Sequence, residues 1–170
     1  KPFSPQELRV VIKKAMDHIR TLHDIATEKS RMRALINHLP GGVMATDKDG
    51  TIALANPSFL RMIGCQTSDI TGKPMNEILV NDTLKELIRE ALTMPEDKFL
   101  ELAQEFNHGS LSHDEEATIG VQCIPFRDRL GRNLGTVTVL HDITTQKKME
   151  QLKSDFVSMV AHEIQSPMNS

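Results

Sequence analysis

Residues 42–64 read GVMATDKDGTIALANPSFLRMIG, and the order of signals in that stretch decides the fold. GVMATD is a six-residue extended segment, Lys48-Asp49-Gly50 supplies a tight turn, and TIALAN resumes the extended pattern, so the segment predicts a β-hairpin. Asn56 and Pro57 then start a short helix, PSFLRMI, because asparagine caps helices well and proline suits a first helical position. Upstream, MRALINHL at residues 32–39 reads as helix, and Pro40-Gly41-Gly42 breaks it ahead of the first strand.

Working outward, Leu84 to Leu92 has helical periodicity with Asp82 or Thr83 as candidate caps. Three extended segments follow, Phe99 to Phe106, Ala117 to Phe126 and Leu134 to Leu140, the last two joined by an Asp128-Arg129-Leu130-Gly131 turn. Two strands, a few short helices and three more strands describe an α+β domain: a five-stranded antiparallel sheet with short helices on one face. From about Arg31 to Thr144 the chain resembles a PAS domain, on three stretches: the hairpin and helix quoted above, IPFRDRLGRNLGTVTVL at residues 124–140, and the closing Asp142-Ile143-Thr144. The resemblance implies that this triplet is a signal linker joining the final strand to an outgoing helix. Asp142 or Thr144 is chemically suited to cap that helix.

Long helices flank the domain. Ser4, Pro5 and Glu7 form the signature of a capping box, and a helix begins at Pro5 and extends to about Lys29. Val10, Val11, Ala15, Ile19, Leu22 and Ile25 place one apolar stripe along it, either a coiled-coil seam with a second copy or the inner face of a helix on a neighbouring domain. Lys1-Pro2-Phe3 followed by a capped helix resembles the end of a response-regulator receiver domain. The aspartate that such a domain phosphorylates would lie upstream, so nothing in this sequence acts as a receiver.

From Thr145 the sequence predicts helix as far as Pro167. Met149, Leu152, Phe156 and Met159 repeat at coiled-coil spacing beside a second row, Val157, Val160, Ile164 and Met168. Two adjacent rows suit a four-helix bundle made from two helical hairpins, which implies a homodimer. At about 100° per residue His162 projects roughly 145° from the centre of this stripe, toward solvent. Glu163 follows it, Ser166 lies one turn on, and Pro167 can bend the helix there.

HEIQSPM at residues 162–168, preceded by SDFVSMVA, resembles the histidine box of two-component sensor kinases. His162, Glu163, Ser166 and Pro167 match that pattern in order, while Gln165 stands where a basic residue is common and Met168 where leucine is. The resemblance implies that His162 accepts a phosphoryl group from ATP with Mg, held by an ATP-binding kinase domain downstream, and passes it to a response-regulator receiver domain. A neutral imidazole nitrogen is the nucleophile such chemistry requires. The adjacent carboxylate of Glu163 can hold or accept the ring proton, and by analogy Ser166 orients a water when a phosphoryl group is removed from the partner. The plainer readings are a solvated helix histidine, an ordinary surface charge and a serine beside a proline kink. For His162 the surrounding matches favour the phosphoacceptor over the solvated histidine.

Composition narrows the remaining classes. The 170 residues are 39% hydrophobic and 25% charged, with a net charge of -3, and basic residues are scattered among acidic ones without aromatic partners, which argues against nucleic acid as a ligand. Neither a membrane-length apolar run nor a secretory leader is evident, so the expected location is cytoplasmic. Cys65 and Cys123, far apart and without metal-ligand spacing, read as two reduced, packed thiols. The flavin motif Asn-Cys-Arg-Phe-Leu is missing, since Cys65 stands in Gly64-Cys65-Gln66, and Leu84 to Leu92 holds no histidine for haem; the PAS ligand stays unknown. His108, His113, Asp114, Glu115 and Glu116 match no metal spacing and read as a solvated loop between strands. His38 and His141 fall at element edges.

The expected layout is a receiver-end-like helix and linker at 1–30, a PAS sensor at 31–144, and the start of a dimerisation and phosphoacceptor helix at 145–170. A start at Lys1 and an end at Ser170 inside a helical pattern suggest a piece of a longer, multidomain bacterial kinase of the hybrid type. No P-loop or Gly-rich phosphate loop occurs, so this stretch alone is expected to be inactive. The alternative is a non-catalytic PAS sensor and dimerisation module. A DNA-binding regulator is disfavoured because no helix-turn-helix pattern or basic face occurs.

Overall fold

Ser4 and Glu7 close the capping box: the Glu7 amide donates to Ser4 Oγ at 3.3 Å and the Ser4 amide to Glu7 Oε2 at 2.9 Å. From there α1 runs unbroken over Pro5–Asn37. It absorbs both the helix expected to about Lys29 and MRALINHL, because no glycine or proline intervenes before Pro40. The computed structural model describes residues 4–98, 100–109 and 116–165. They form two compact units divided between Leu39 and Pro40.

The first unit is α1 itself. None of its residues is buried, and Val10, Val11, Ile19, Leu22 and Ile25 of the apolar stripe are all exposed.

The second unit is a five-stranded antiparallel sheet in the order β2-β1-β5-β4-β3. Its strands are β1 (Gly42–Asp47), β2 (Ile52–Ala55), β3 (Leu102–Gly109), β4 (Glu116–Arg127) and β5 (Asn133–Asp142). The helices α2 (Pro57–Met62), α3 (Met75–Ile78) and α4 (Asp82–Leu92) lie between β2 and β3 in the chain, and α2 and α4 pack on the sheet. In β1 burial alternates, with Gly42, Met44 and Thr46 inward and Val43, Ala45 and Asp47 half-buried, as a strand with one covered face requires. On α4 the buried residues Leu84, Leu87, Ile88 and Ala91 fall at helical spacing. They join Met44, Ile52, Phe59, Val121, Cys123 and Leu140 in one core.

Local chemistry fixes the joints. Asn56 is fully buried. Its Oδ1 accepts from the amides of Val43 at 2.8 Å and Phe59 at 2.9 Å, and its Nδ2 donates to the Gly41 carbonyl at 2.9 Å. One side chain therefore caps α2 and ties it to the start of β1. At the β1–β2 turn Asp47 Oδ1 accepts from Asp49 and Thr51, and at the β4–β5 turn Asp128 Oδ1 accepts from Leu130 and Arg132. Gly135 has φ +148°, and a Cβ there would sit 1.9 Å from the Thr46 carbonyl oxygen, so only glycine lets β5 approach β1 this closely.

Three expectations are revised. The α4 cap is Asn81, whose Oδ1 accepts from the Leu84 amide at 3.0 Å, in place of Asp82 or Thr83. The one-turn α3 was not evident from periodicity; Met75 is buried there. β3 starts at Leu102, after Leu100 and Glu101 of the segment expected from Phe99, which itself lies outside the described residues; Arg127 donates to the carbonyls of Pro95 (2.7 Å), Glu96 and Lys98 (2.6 Å) and so holds the stretch ahead of β3 as a loop.

Replacing Asn56 by alanine leaves two amides and a carbonyl without the partner that a fully buried side chain now gives them. Each such group costs about 1–3 kcal/mol, so Asn56→Ala is expected to lower stability by at least ~2 kcal/mol, read as a lower urea midpoint with an unchanged slope.

Candidate functional site: the sheet-to-helix junction and its cleft

β5 hands the chain to a helix at the triplet singled out from sequence. Asp142 still pairs with Ile119 of β4, and the next amide, Ile143, donates to the Thr118 carbonyl at 2.9 Å. The helix α5 then runs Thr144–Gln165. Asp142 Oδ1 accepts from the Thr144 amide at 3.0 Å and from the Thr144 hydroxyl at 2.5 Å, while that hydroxyl accepts from the Thr118 amide at 3.0 Å. The carboxylate thus serves the first turn of α5, where negative charge also meets the positive end of the helix dipole. Thr144 turns back to extend the β4 ladder onto the helix.

The inner side of this junction borders a cleft of about 500 Å³ whose lining includes Leu60, Arg61, Cys65, His108, Ile119 and Asp142. A smaller recess of about 150 Å³ lies between α4 and β3, with Leu84, Phe106 and His108 among its walls. Arg61 is held by its Nη2 donating to Ser58 Oγ at 2.9 Å. The walls are mainly apolar with a few polar groups, the usual make-up of a small-molecule site. Asp142 belongs both to this cleft and to the α5 cap.

One assignment made from sequence changes here. His108 lies in β3 and Glu116 opens β4, so neither stands in a solvated loop; His113, Asp114 and Glu115 lie outside the described residues. Cys65 is a free, half-buried thiol that packs against the edge of the core, as expected, and also lines the cleft wall. Cys123 is buried, and burial pushes its thiol above the usual range against the opposing hydrogen bonds from Thr138 and Thr136. A thiol kept protonated in this way is unreactive. His141 is an exposed residue of β5 and His38 ends α1.

His162 and Glu163 stand side by side on the last turns of α5, and both are exposed. Exposure there does not single out the histidine: every residue from Lys148 to Gln165 is exposed, including Met149, Leu152, Phe156, Val157, Met159, Val160 and Ile164 of the apolar rows. Ser166, Pro167 and Met168 lie outside the described residues, as do Lys1, Pro2 and Phe3. Among the described residues no helix is long and apolar enough to cross a membrane, and no group of three or more His, Cys, Asp or Glu is placed to hold a metal ion.

A five-stranded antiparallel sheet with short helices on one face and a helix leaving its last strand defines a PAS domain, and the family profile described as PAS fold matches residues 36–148. The chain belongs to the PAS-fold family. It is 33% identical over 148 residues to the sensor protein kinase WalK of Staphylococcus aureus, covering 85% of this chain and 32% of that sequence. Matching sequences from other strains are covered to 22%, so the chain spans a third or less of the curated relatives it matches. Among solved structures, the PAS domain of an HTR-like protein from Haloarcula marismortui superposes with a TM-score of 0.51 at 22% identity, covering 73% of this chain and 98% of that one. A PAS domain from Colwellia psychrerythraea gives 0.51 at 19% identity, covering 70% and 98%. Those two likenesses concern the fold alone.

Loss of the Asp142 cap is expected to fray the start of α5. Asp142→Ala removes a cap worth about 0.5–2 kcal/mol, and backbone NMR is expected to show Thr144 to Lys147 shifting toward coil values while Val121 and Leu140 hold. Asp142→Asn keeps an acceptor oxygen and is expected to preserve most of the helical signal.

Proposed function

We propose that the chain is the sensor and dimerisation segment of a cytoplasmic two-component histidine kinase, in which the PAS domain at 31–144 governs phosphorylation of His162 on the helix that follows. The observation that carries this reading is continuity: α5 is capped by Asp142 at the cleft and proceeds without a break to the HEIQSPM motif. A change at the junction can therefore travel along one rigid element.

In this reading two copies pair along the exposed apolar rows of α5, which an isolated helix in water would leave unsupported. The His162 ring nitrogen attacks the γ-phosphorus of ATP delivered with Mg by an ATP-binding domain outside this chain. The bond from that phosphorus to the ADP oxygen breaks, and Glu163 holds or takes the ring proton. A response-regulator receiver domain then accepts the phosphoryl group, and Ser166 positions the water that hydrolyses the phosphorylated receiver to inorganic phosphate when the phosphatase reaction operates. Residues 1–30 link the segment to a preceding receiver-like domain. Similarity to a sensor protein kinase along 85% of the chain supports the reading. The competing reading, a PAS module whose helix serves assembly alone, draws on the same exposed stripe and needs no role for His162.

The two separate on one assay. In a protein continuing through the ATP-binding domain, labelled ATP is expected to yield acid-labile phosphate that disappears in His162→Ala, with Glu163→Gln lowering the rate by about 10²-fold or more, as loss of a general base does. Label that survives His162→Ala, or none in the natural sequence, would leave the assembly module as the reading.

A further inference from the structure

The outer face of the sheet holds the first turn of α5 by a contact between residues far apart in the chain. Glu105 of β3, Gly120 of β4 and His141 of β5 lie in one row across three strands. Gly120 leaves that row open at its centre, and Ile143 settles over it: a Cβ at position 120 would lie 3.5 Å from both Ile143 Cδ1 and Cγ2. One turn into α5, Lys147 Nζ reaches Glu105 Oε2 at 2.8 Å, with Glu150 Oε2 at 3.9 Å. Hydrogen bonding to Glu105 raises the Lys147 pKa above the usual lysine range, and the nearby Glu105 and Glu150 charges add to it against some desolvation.

The strand that carries Glu105 is one of the two edge strands of the sheet. β3 lies at the sheet edge and pairs with β4 alone, and edge elements open at lower cost than central ones. Side chains alternate along it, so Phe106 and His108 line the clefts on the inner face while Glu105 points to the outer face and holds Lys147. Displacing β3 from inside must move Glu105 outside.

We propose that Glu105 and Lys147 form a reversible latch through which edge strand β3 sets the hold on the first turn of α5, and that a molecule filling the cleft against His108 releases it. Both side chains are 40–49% exposed, the range in which ion pairs are weak. A weak latch is one that a small ligand can open. The device concerns the sensor segment alone and holds whether or not His162 takes a phosphoryl group.

Amide exchange on this 170-residue chain tests it. Glu105→Gln is expected to speed exchange at the Lys147 amide, which bonds the Ile143 carbonyl at 2.8 Å, by about two- to fivefold, the range an exposed ion pair supports. Central sheet amides at Val121 and Leu140 stay as they were. The charge-swapped pair, Glu105→Lys with Lys147→Glu, made together with Glu150→Gln to remove carboxylate repulsion, restores the native rate.

The cleft arm uses N-ethylmaleimide on Cys65, since Cys123 is buried, and separately His108→Trp, which fills the cleft without a thiol reagent. Each is expected to speed Lys147 exchange in the native background and to add nothing in Glu105→Gln. The latch is overturned if Glu105→Gln leaves exchange unchanged, if the swap fails to restore it, or if filling the cleft has no effect or an equal effect in both backgrounds.

Discussion

The buried amide of Asn56 is the constraint on which the rest of this domain depends. Its oxygen and nitrogen together satisfy two amides and a carbonyl from Gly41, Val43 and Phe59. The side chain fixes where β1 begins and where α2 starts, and α2 carries Phe59 and Leu60 into the core. At Gly42 a Cβ would lie 2.8 Å from Phe59 Cα, so the closeness of strand and helix depends on that glycine as much as on the amide. Once this corner is set, β1 can pair with β5 on one side and β2 on the other, and the sheet has its register.

Around that corner the molecule is divided in character. The sheet and α2, α3 and α4 bury a continuous apolar core, while α1 and α5 bury none of their residues. Helices of 33 and 22 residues with uncovered apolar stripes draw little stability from propensity alone. The proposed pairing of two copies along α5 answers that deficit physically. It also explains why the apolar rows and His162 share one helix yet face different ways. In that proposed pairing, packing would hold one side of α5 and leave the other open to chemistry.

The junction between the two regimes is where a sensor has to work. Asp142 is shared by the cleft and the α5 cap, Thr144 by the helix and β4, and the proposed Glu105–Lys147 latch by β3 and α5. Each link is a short-range polar contact of modest strength, in contrast to the buried hydroxyl pair Thr46–Thr136 and the core behind it. A domain built this way keeps its sheet intact while the attachment of its outgoing helix varies, because the energies differ by more than the contacts do.

Sequence by itself determined the strands, the longer helices and their order. The hairpin at 42–56, the Asn56-Pro57 helix start, the capping box at Ser4 and the closing Asp142-Ile143-Thr144 were legible because the chemistry that makes each lies within a few residues of it. The HEIQSPM motif was legible for the same reason, and it alone placed the proposed phosphoacceptor. Tertiary structure decided what depends on side chains that meet across long separations: Arg127 gripping the carbonyls of Pro95, Glu96 and Lys98 ahead of β3, His108 and Cys65 turned onto one cleft, and Glu105 brought to Lys147 over Gly120. Periodicity reports which face of an element is apolar, but it carries no information about which distant residue will stand opposite, and that is settled only when the strands take their register.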